Sequence, residues 1–230
     1  TDHHETLEKL PNAIAVINPK RNDSKYPFRD LAGVGVVFKF IQALSIEYGL
    51  DAKEYLKYLD IVCVGTISDI VPLIDENRVI TKLGIKLLEQ TKNIGLRSLI
   101  ISSGYKKIDS STISFGIAPR INACGRMGNE EEALKLFLTN VQSDAKEITE
   151  NLNKYNKDRQ NIERNIFEQV ISKINKNDIK EKDVIVIAGE NWHHGVIGIV
   201  SSKITETFYK PSILLSIEGD MAKGSGRSIP

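Results

Sequence analysis

With 230 residues, 41% hydrophobic and 27% charged, the chain has ordinary globular composition and is long enough for one sizeable core or two modest domains. The formal net charge of +1 excludes a globally basic nucleic-acid binder, so any phosphate-binding surface must come from local Lys and Arg. Two cysteines, Cys63 and Cys124, without paired metal-type spacing exclude a disulfide framework and fit a reducing cytoplasm; no signal peptide or membrane-length apolar run is present.

The chain starts on Thr1-Asp2-His3-His4, a carboxylate and two imidazoles in succession. Hard divalent ions take carboxylate oxygen and imidazole suits ions such as manganese or zinc, so the tripeptide reads as part of a catalytic metal site or, alternatively, as a solvated tail. Ala13-Ile14-Ala15-Val16-Ile17 is an apolar run of strand length closed by Asn18-Pro19, and it predicts a buried strand. Gly33-Val34-Gly35 opens a helix that runs from Val34 to Tyr48 and stops at Gly49; the glycine pair suits close packing better than dinucleotide binding. Asp51 with Glu54 starts a second helix that leads into the apolar stretch Ile61–Ile67, buried on most sides as helix or as strand. Asp69 follows directly, either as a metal ligand or as a cap or turn residue.

Amphipathic helices are predicted over Asn77–Gln90 and Ile94–Ser103. In Ile117-Ala118-Pro119-Arg120-Ile121-Asn122-Ala123-Cys124-Gly125-Arg126, Pro119 is expected to break the helix, and two guanidiniums among small residues suit phosphate contact or interhelical ion pairs. A capped helix follows from Asn129 to Leu138, then a long, narrow-striped connector helix from Ser143 to Ile174. Past a polar linker over Asn175–Asp183, a strand at Val184–Ile187, a loop holding Trp192-His193-His194-Gly195, a helix over Val196–Phe208 and a strand at Ile213–Ile217 predict a second, smaller α/β domain. Lys223-Gly224-Ser225-Gly226-Arg227-Ser228 reads as a phosphate cradle or a flexible basic tail.

Taken in order, these blocks resemble the single-strand-specific 5′-to-3′ DNA exonucleases of the DHH phosphoesterase superfamily. The blocks are Asp2-His3-His4, Leu31–Gly35, Gly65–Leu73, Ile117–Ala123 with Gly125-Arg126, Trp192-His193 with Gly195–Gly198, and Gly224–Ser228. The resemblance implies an α/β fold: the helix-rich C-terminal part of a DHH-type catalytic domain over 1–140, a connector helix over 141–176 and part of a DHH-associated substrate-binding domain over 177–230. It implies two manganese or magnesium ions, with His3 and Asp69 as ligands, His4 as a phosphate contact, Asp2 as a group that ligates or orients this cluster, and further ligands before Thr1. Arg120, Asn122 and Arg126 would bind the scissile region, Ser225 and Arg227 would hold phosphates, and His193 would lie near them. The chain lacks an initiator Met and ends on Ser228-Ile229-Pro230, so it is expected to be a fragment with little activity alone. Single-stranded DNA is the implied partner, with a single-stranded-DNA-binding protein as a family-level expectation, in cytoplasmic repair and recombination. A phosphodiesterase or pyrophosphatase acting on small substrates, or a nonenzymatic nucleic-acid-binding relative, are the alternatives.

Overall fold

The computed structural model describes residues 1–174 and 182–229. They form two compact units, Thr1–Pro119 with Leu136–Lys146, and Arg120–Lys135 with Glu147–Pro230. Most of the linker expected over 175–183 lies outside the described residues. Among the described residues no helix is long and apolar enough to cross a membrane.

In the first unit the apolar run at 13–17 is not a strand. A strand exists only where its N–H and C=O groups find a ladder, and this unit holds no other strand among the described residues. The run is instead tied to the chain start, with the Asp2 N–H donating to the Ile17 carbonyl at 3.0 Å, and Ile17 packs on the core while Ile14 is fully exposed. Helix α1 (Gly33–Glu47) ends where Gly49 takes a φ of +64°, the left-handed conformation that glycine adopts at least cost. The helix expected from Asp51 onward is broken into α2 (Lys53–Leu56), which buries nothing, and α3 (Leu59–Ser68). Helix α3 is buried nearly all round, at Leu59, Asp60, Val62, Cys63, Val64, Thr66 and Ile67. All-round burial leaves no amphipathic period, which is why its sequence reads equally as strand.

Helix α4 (Asp75–Leu88) packs along α3. Gly84 makes this possible, since a Cβ there would collide with the Leu59 carbonyl and the Cys63 side chain. Gly84→Ala is therefore expected to destabilise the protein by about 1–3 kcal/mol, read as a lowered denaturant midpoint at unchanged slope. Helix α5 (Ile94–Ser103) is capped by Asn93, whose side chain accepts from the Leu96 N–H at 2.8 Å and whose amide donates to the Phe137 carbonyl at 2.8 Å.

A π-helix (Thr112–Ile117) runs directly into α6 (Ala118–Arg126), so Pro119 does not break the helix. The wider π turn before it, in which the Ala118 N–H reaches back to the Ile113 carbonyl, relaxes the crowding that its ring would cause. Helices α7 (Glu130–Leu138) and α8 (Gln142–Lys173) follow.

In the second unit, β1 (Ile185–Glu190), α9 (His194–Phe208) and β2 (Ser212–Glu218) form a β-α-β turn with β1 and β2 parallel. Ile166 and Val170 of α8 join Trp192, Val196, Val200, Ile204 and Leu214 in its core. The segment expected as a loop or tail is β3 (Met221–Arg227), antiparallel to β2, with Leu214 opposite Ser225 and Ser212 opposite Arg227. One of its glycines has little room to spare: a Cβ on Gly224 would run into the Leu215 side chain. Pairing with buried Ser212 and Leu214 turns Ser225 and Arg227 toward the face covered by α9.

Candidate functional site

In the first unit, Asp2, His3, His4 and Asp69 come together. The Asp2 Oδ1 accepts from the backbone N–H of His3 at 2.7 Å and of His4 at 3.3 Å, and pairs with His4 Nδ1 at 2.8 Å. The His4 side-chain bond, then the two backbone bonds, pull the Asp2 carboxyl down to about 2. With Asp2 ionised, a neutral His4 carries its proton on Nδ1 and leaves Nε2 as its lone-pair nitrogen. The His3 and His4 rings lie 4.4 Å apart, tilted by 48°.

Asp69 stands at the C-cap of α3, with its backbone N–H donating to the Gly65 carbonyl at 3.1 Å. Its side chain reaches His3, with Oδ2 3.4 Å from Nε2, at 41% and 18% side-chain exposure respectively. Two ligands about 2.1 Å from one octahedral ion stand about 3 Å apart when adjacent, so this pair fits one edge of a magnesium or manganese shell. The pair is two donors: among the described residues no group of three or more His, Cys, Asp or Glu is placed to hold a metal. Gly33, the first residue of α1, lets the ring in, since a Cβ there would sit 3.3 Å from His3 Cδ2.

The Asp2 shift carries a pH expectation. A carboxyl lowered from 3.8 to about 2 contributes stability that is present above 3.8 and is lost as pH falls through about 2. His4→Ala is expected to raise the Asp2 midpoint toward 3.8, since it removes the largest cause of the shift, measured by carboxyl NMR titration.

Two supporting residues escaped the sequence reading. Buried Asn18 donates to the His4 carbonyl at 2.9 Å and fixes the second histidine. Fully buried Asn77 donates to the Asp30 carbonyl at 2.6 Å and to the Pro72 carbonyl at 3.0 Å, which anchors the loop after Asp69. In that loop Ile70 takes a φ of +57°, a left-handed conformation costly for a β-branched residue. No local sequence signal marks these residues, because each acts through a carbonyl distant in the chain or through backbone strain.

In the second unit a different set converges on the start of α9. His193 is the N-cap, its Nδ1 accepting from the Gly195 N–H at 3.2 Å. Arg126 donates from Nη1 to the Gly195 carbonyl at 3.0 Å. One turn on, a Cβ at Gly198 would stand 3.0 Å from Ser225 Oγ and 3.2 Å from Arg227 Nη2. Gly195 and Gly198 thus let Arg126, Ser225 and Arg227 approach α9, and Ser202 helps aim Arg227 by accepting from Nε at 3.1 Å. Burial first, then the positive charges of Arg159 and Arg227, draw the Arg126 guanidinium below its usual pKa. Guanidiniums, a hydroxyl and a helix start gathered in this way suit a phosphate.

Arg120 and Asn122 lie on α6, where Arg120 Nε donates to Asn153 Oδ1 at 2.6 Å and Asn122 is exposed. Trp192 is a packing residue, buried, with its indole N–H donating to Gln169 Oε1 at 2.9 Å. Burial pushes the Cys63 thiol up to about 12 and the Cys124 thiol up to about 11, so neither is a nucleophile near neutral pH.

The chain is similar to proteins already known. Residues 1–66 match the DHH family, N-terminal domain. Over its whole length it is 39% identical to the single-stranded-DNA-specific exonuclease RecJ of Bacillus subtilis (strain 168), of which it spans 29%. It is 35% identical to RecJ of Thermus thermophilus, spanning 32% of that protein. Among solved structures, RecJ from Thermus thermophilus in complex with Mn2+ matches with a TM-score of 0.87 at 33% identity, over 99% of this chain and 33% of that one. An exonuclease RecJ bound to manganese matches at 0.84 and 33% identity, over 100% of this chain and 56% of that one. The expected helix-rich α/β architecture, with its long helix and smaller second domain, agrees with these structures. The chain spans 29% to 42% of the length of the curated relatives it matches.

Proposed function

We propose that the whole protein is a metal-dependent 5′-to-3′ exonuclease of single-stranded DNA. The observation that carries the reading is the approach of His3 Nε2 and Asp69 Oδ2 to 3.4 Å, in a chain similar along its full length to RecJ proteins. In this reading His3 and Asp69 hold a manganese or magnesium ion, and other ligands complete a two-ion site. Ions of this class stabilise charge on the phosphoryl oxygens and activate the attacking water. Asp2 fixes the His4 ring through its 2.8 Å bond, so that His4 Nε2 can donate to a phosphate oxygen once protonated, or orient a water when neutral. Arg126, Ser225 and Arg227 grip phosphates of the strand, Arg120 and Asn122 line its path, and His193 orders the helix start beside them.

The proposed domains are a partial DHH catalytic domain over 1–140, a connector helix over 141–176 and a partial DHH-associated domain over 177–230. The proposed setting is cytoplasmic DNA repair and recombination, with a single-stranded-DNA-binding protein as the expected partner. The test is hydrolysis by the whole protein, with Mn2+, of 5′-labelled single-stranded DNA, the matching duplex, a dinucleotide and pyrophosphate. Mononucleotides released from the 5′ end of the single strand are expected. Preference for the dinucleotide or pyrophosphate would overturn the reading in favour of a small-substrate phosphohydrolase.

A further inference from the structure

Three arginines of the second unit come from three elements: Arg126 from α6, Arg159 from α8 and Arg227 from β3. Like charges gathered this way repel one another and attract any anion. A carboxylate, Glu163, reaches α9 beside them, since its partner Lys203 follows Ser202, which accepts from Arg227 Nε at 3.1 Å. Glu163 lies one turn beyond Arg159 on α8; its Oε2 accepts from Arg159 Nη1 at 2.6 Å, and its Oε1 lies 3.7 Å from Lys203 Nζ. The Arg159 and Glu163 side chains are 13% and 17% exposed, so solvent screens the pair incompletely. Asn156 Oδ1 accepts from Arg159 Nη2 at 2.8 Å, and Lys203 Nζ sits 4.6 Å over the Phe167 ring, so both cations beside the carboxylate are held in place. Glu163 also opposes the effect of Arg159 and Arg227 on the Arg126 guanidinium, which places its charge within reach of that arginine.

We infer that Glu163 is a positioning residue that sets the strength of the phosphate site: it fixes Arg159 along α8 and offsets part of the positive field acting on a bound strand. The inference rests on the reading of Arg126 and Arg227 as phosphate contacts. A carboxylate in this place weakens the hold on phosphate while it keeps Arg159 ordered without ligand. That combination suits an enzyme that must release the strand and its product at each step.

The test is binding of a fluorescent oligothymidylate to the full chain in EDTA, by anisotropy over a range of salt, so that hydrolysis does not enter. Glu163→Gln keeps the shape and removes the charge; it is expected to bind about three- to tenfold more tightly, with a steeper salt dependence. Arg159→Gln removes one positive charge and leaves Glu163 offset by Lys203 alone, and it is expected to weaken binding by a similar factor. The double variant, neutral at both positions, is expected to return near wild type. A role confined to structure would weaken binding in all three. Unchanged or weaker binding by folded Glu163→Gln overturns the inference. If that variant does not fold, unchanged or tighter binding by Arg159→Gln overturns it instead. Wild-type protein that does not bind, or binds equally well as Arg227→Ala, overturns the underlying phosphate reading as well.

Discussion

His3→Ala or Asp69→Asn in the whole protein is expected to lower Mn2+-dependent hydrolysis of single-stranded DNA by about 10²–10³-fold, with the fold intact. The size follows from the several kcal/mol of charge stabilisation that a catalytic ion supplies, at 1.36 kcal/mol per factor of ten. The fold should survive because neither side chain is buried: Asp69 is 41% exposed and caps α3 through its backbone, while His3 is held by the Asp2 carboxylate through its own N–H. Circular dichroism and thermal denaturation would check this, with changes within about 0.5 kcal/mol expected for surface positions. Raised Mn2+ should partly rescue Asp69→Asn, whose amide oxygen remains a weak ligand, and should not rescue His3→Ala.

The second large effect is expected at the arginines. Arg227→Ala or Arg126→Ala should weaken strand binding by about 10–100-fold, the range for hydrogen bonds to a charged group, and should flatten the salt dependence. The loss should appear in KM more than in kcat, because these groups grip the strand in ground and transition states alike. Gly198→Ala is the finer probe. Its methyl group would press Ser225 Oγ at 3.0 Å and Arg227 Nη2 at 3.2 Å without removing either, so an intermediate loss is expected. Binding by Gly198→Ala equal to wild type would show that the spacing between α9 and β3 does not matter for the strand.

Much of this arrangement is legible in the sequence where local chemistry decides structure. The helix over Ile94–Ser103 is expected from its amphipathic period and forms over those residues, closed by an Asn93 cap and a left-handed Gly104. The β1-α9-β2 turn follows from two apolar runs on either side of a helical period. The misreadings occur where partners distant in the chain decide. The run at 13–17 has strand composition and no ladder in its unit, so it bends at Ala13 and Ile14 and is tied to Asp2 through the Ile17 carbonyl. The Gly224–Arg227 segment has loop composition and becomes β3 because β2 supplies the ladder, with Leu215 filling the space that glycine leaves.

The site divides in the same way. Asp2, His3, His4 and Asp69 could be named because carboxylate and imidazole announce metal chemistry wherever they occur. Asn18, Asn77 and the strained Ile70 could not, since their roles exist only once the His4, Asp30 and Pro72 segments lie beside them. Arg159 and Glu163 read in sequence as one more solvated pair on a charged helix. Their significance comes from α9, where Glu163 reaches Lys203 next to the Ser202 that holds Arg227.

The most direct measurement is anomalous diffraction at the manganese edge from crystals of the whole protein soaked in Mn2+. A peak about 2.1–2.2 Å from both His3 Nε2 and Asp69 Oδ2 is the predicted result. A manganese peak elsewhere with neither atom coordinated, or no peak in crystals of active protein, would contradict the assignment of these two residues as metal ligands.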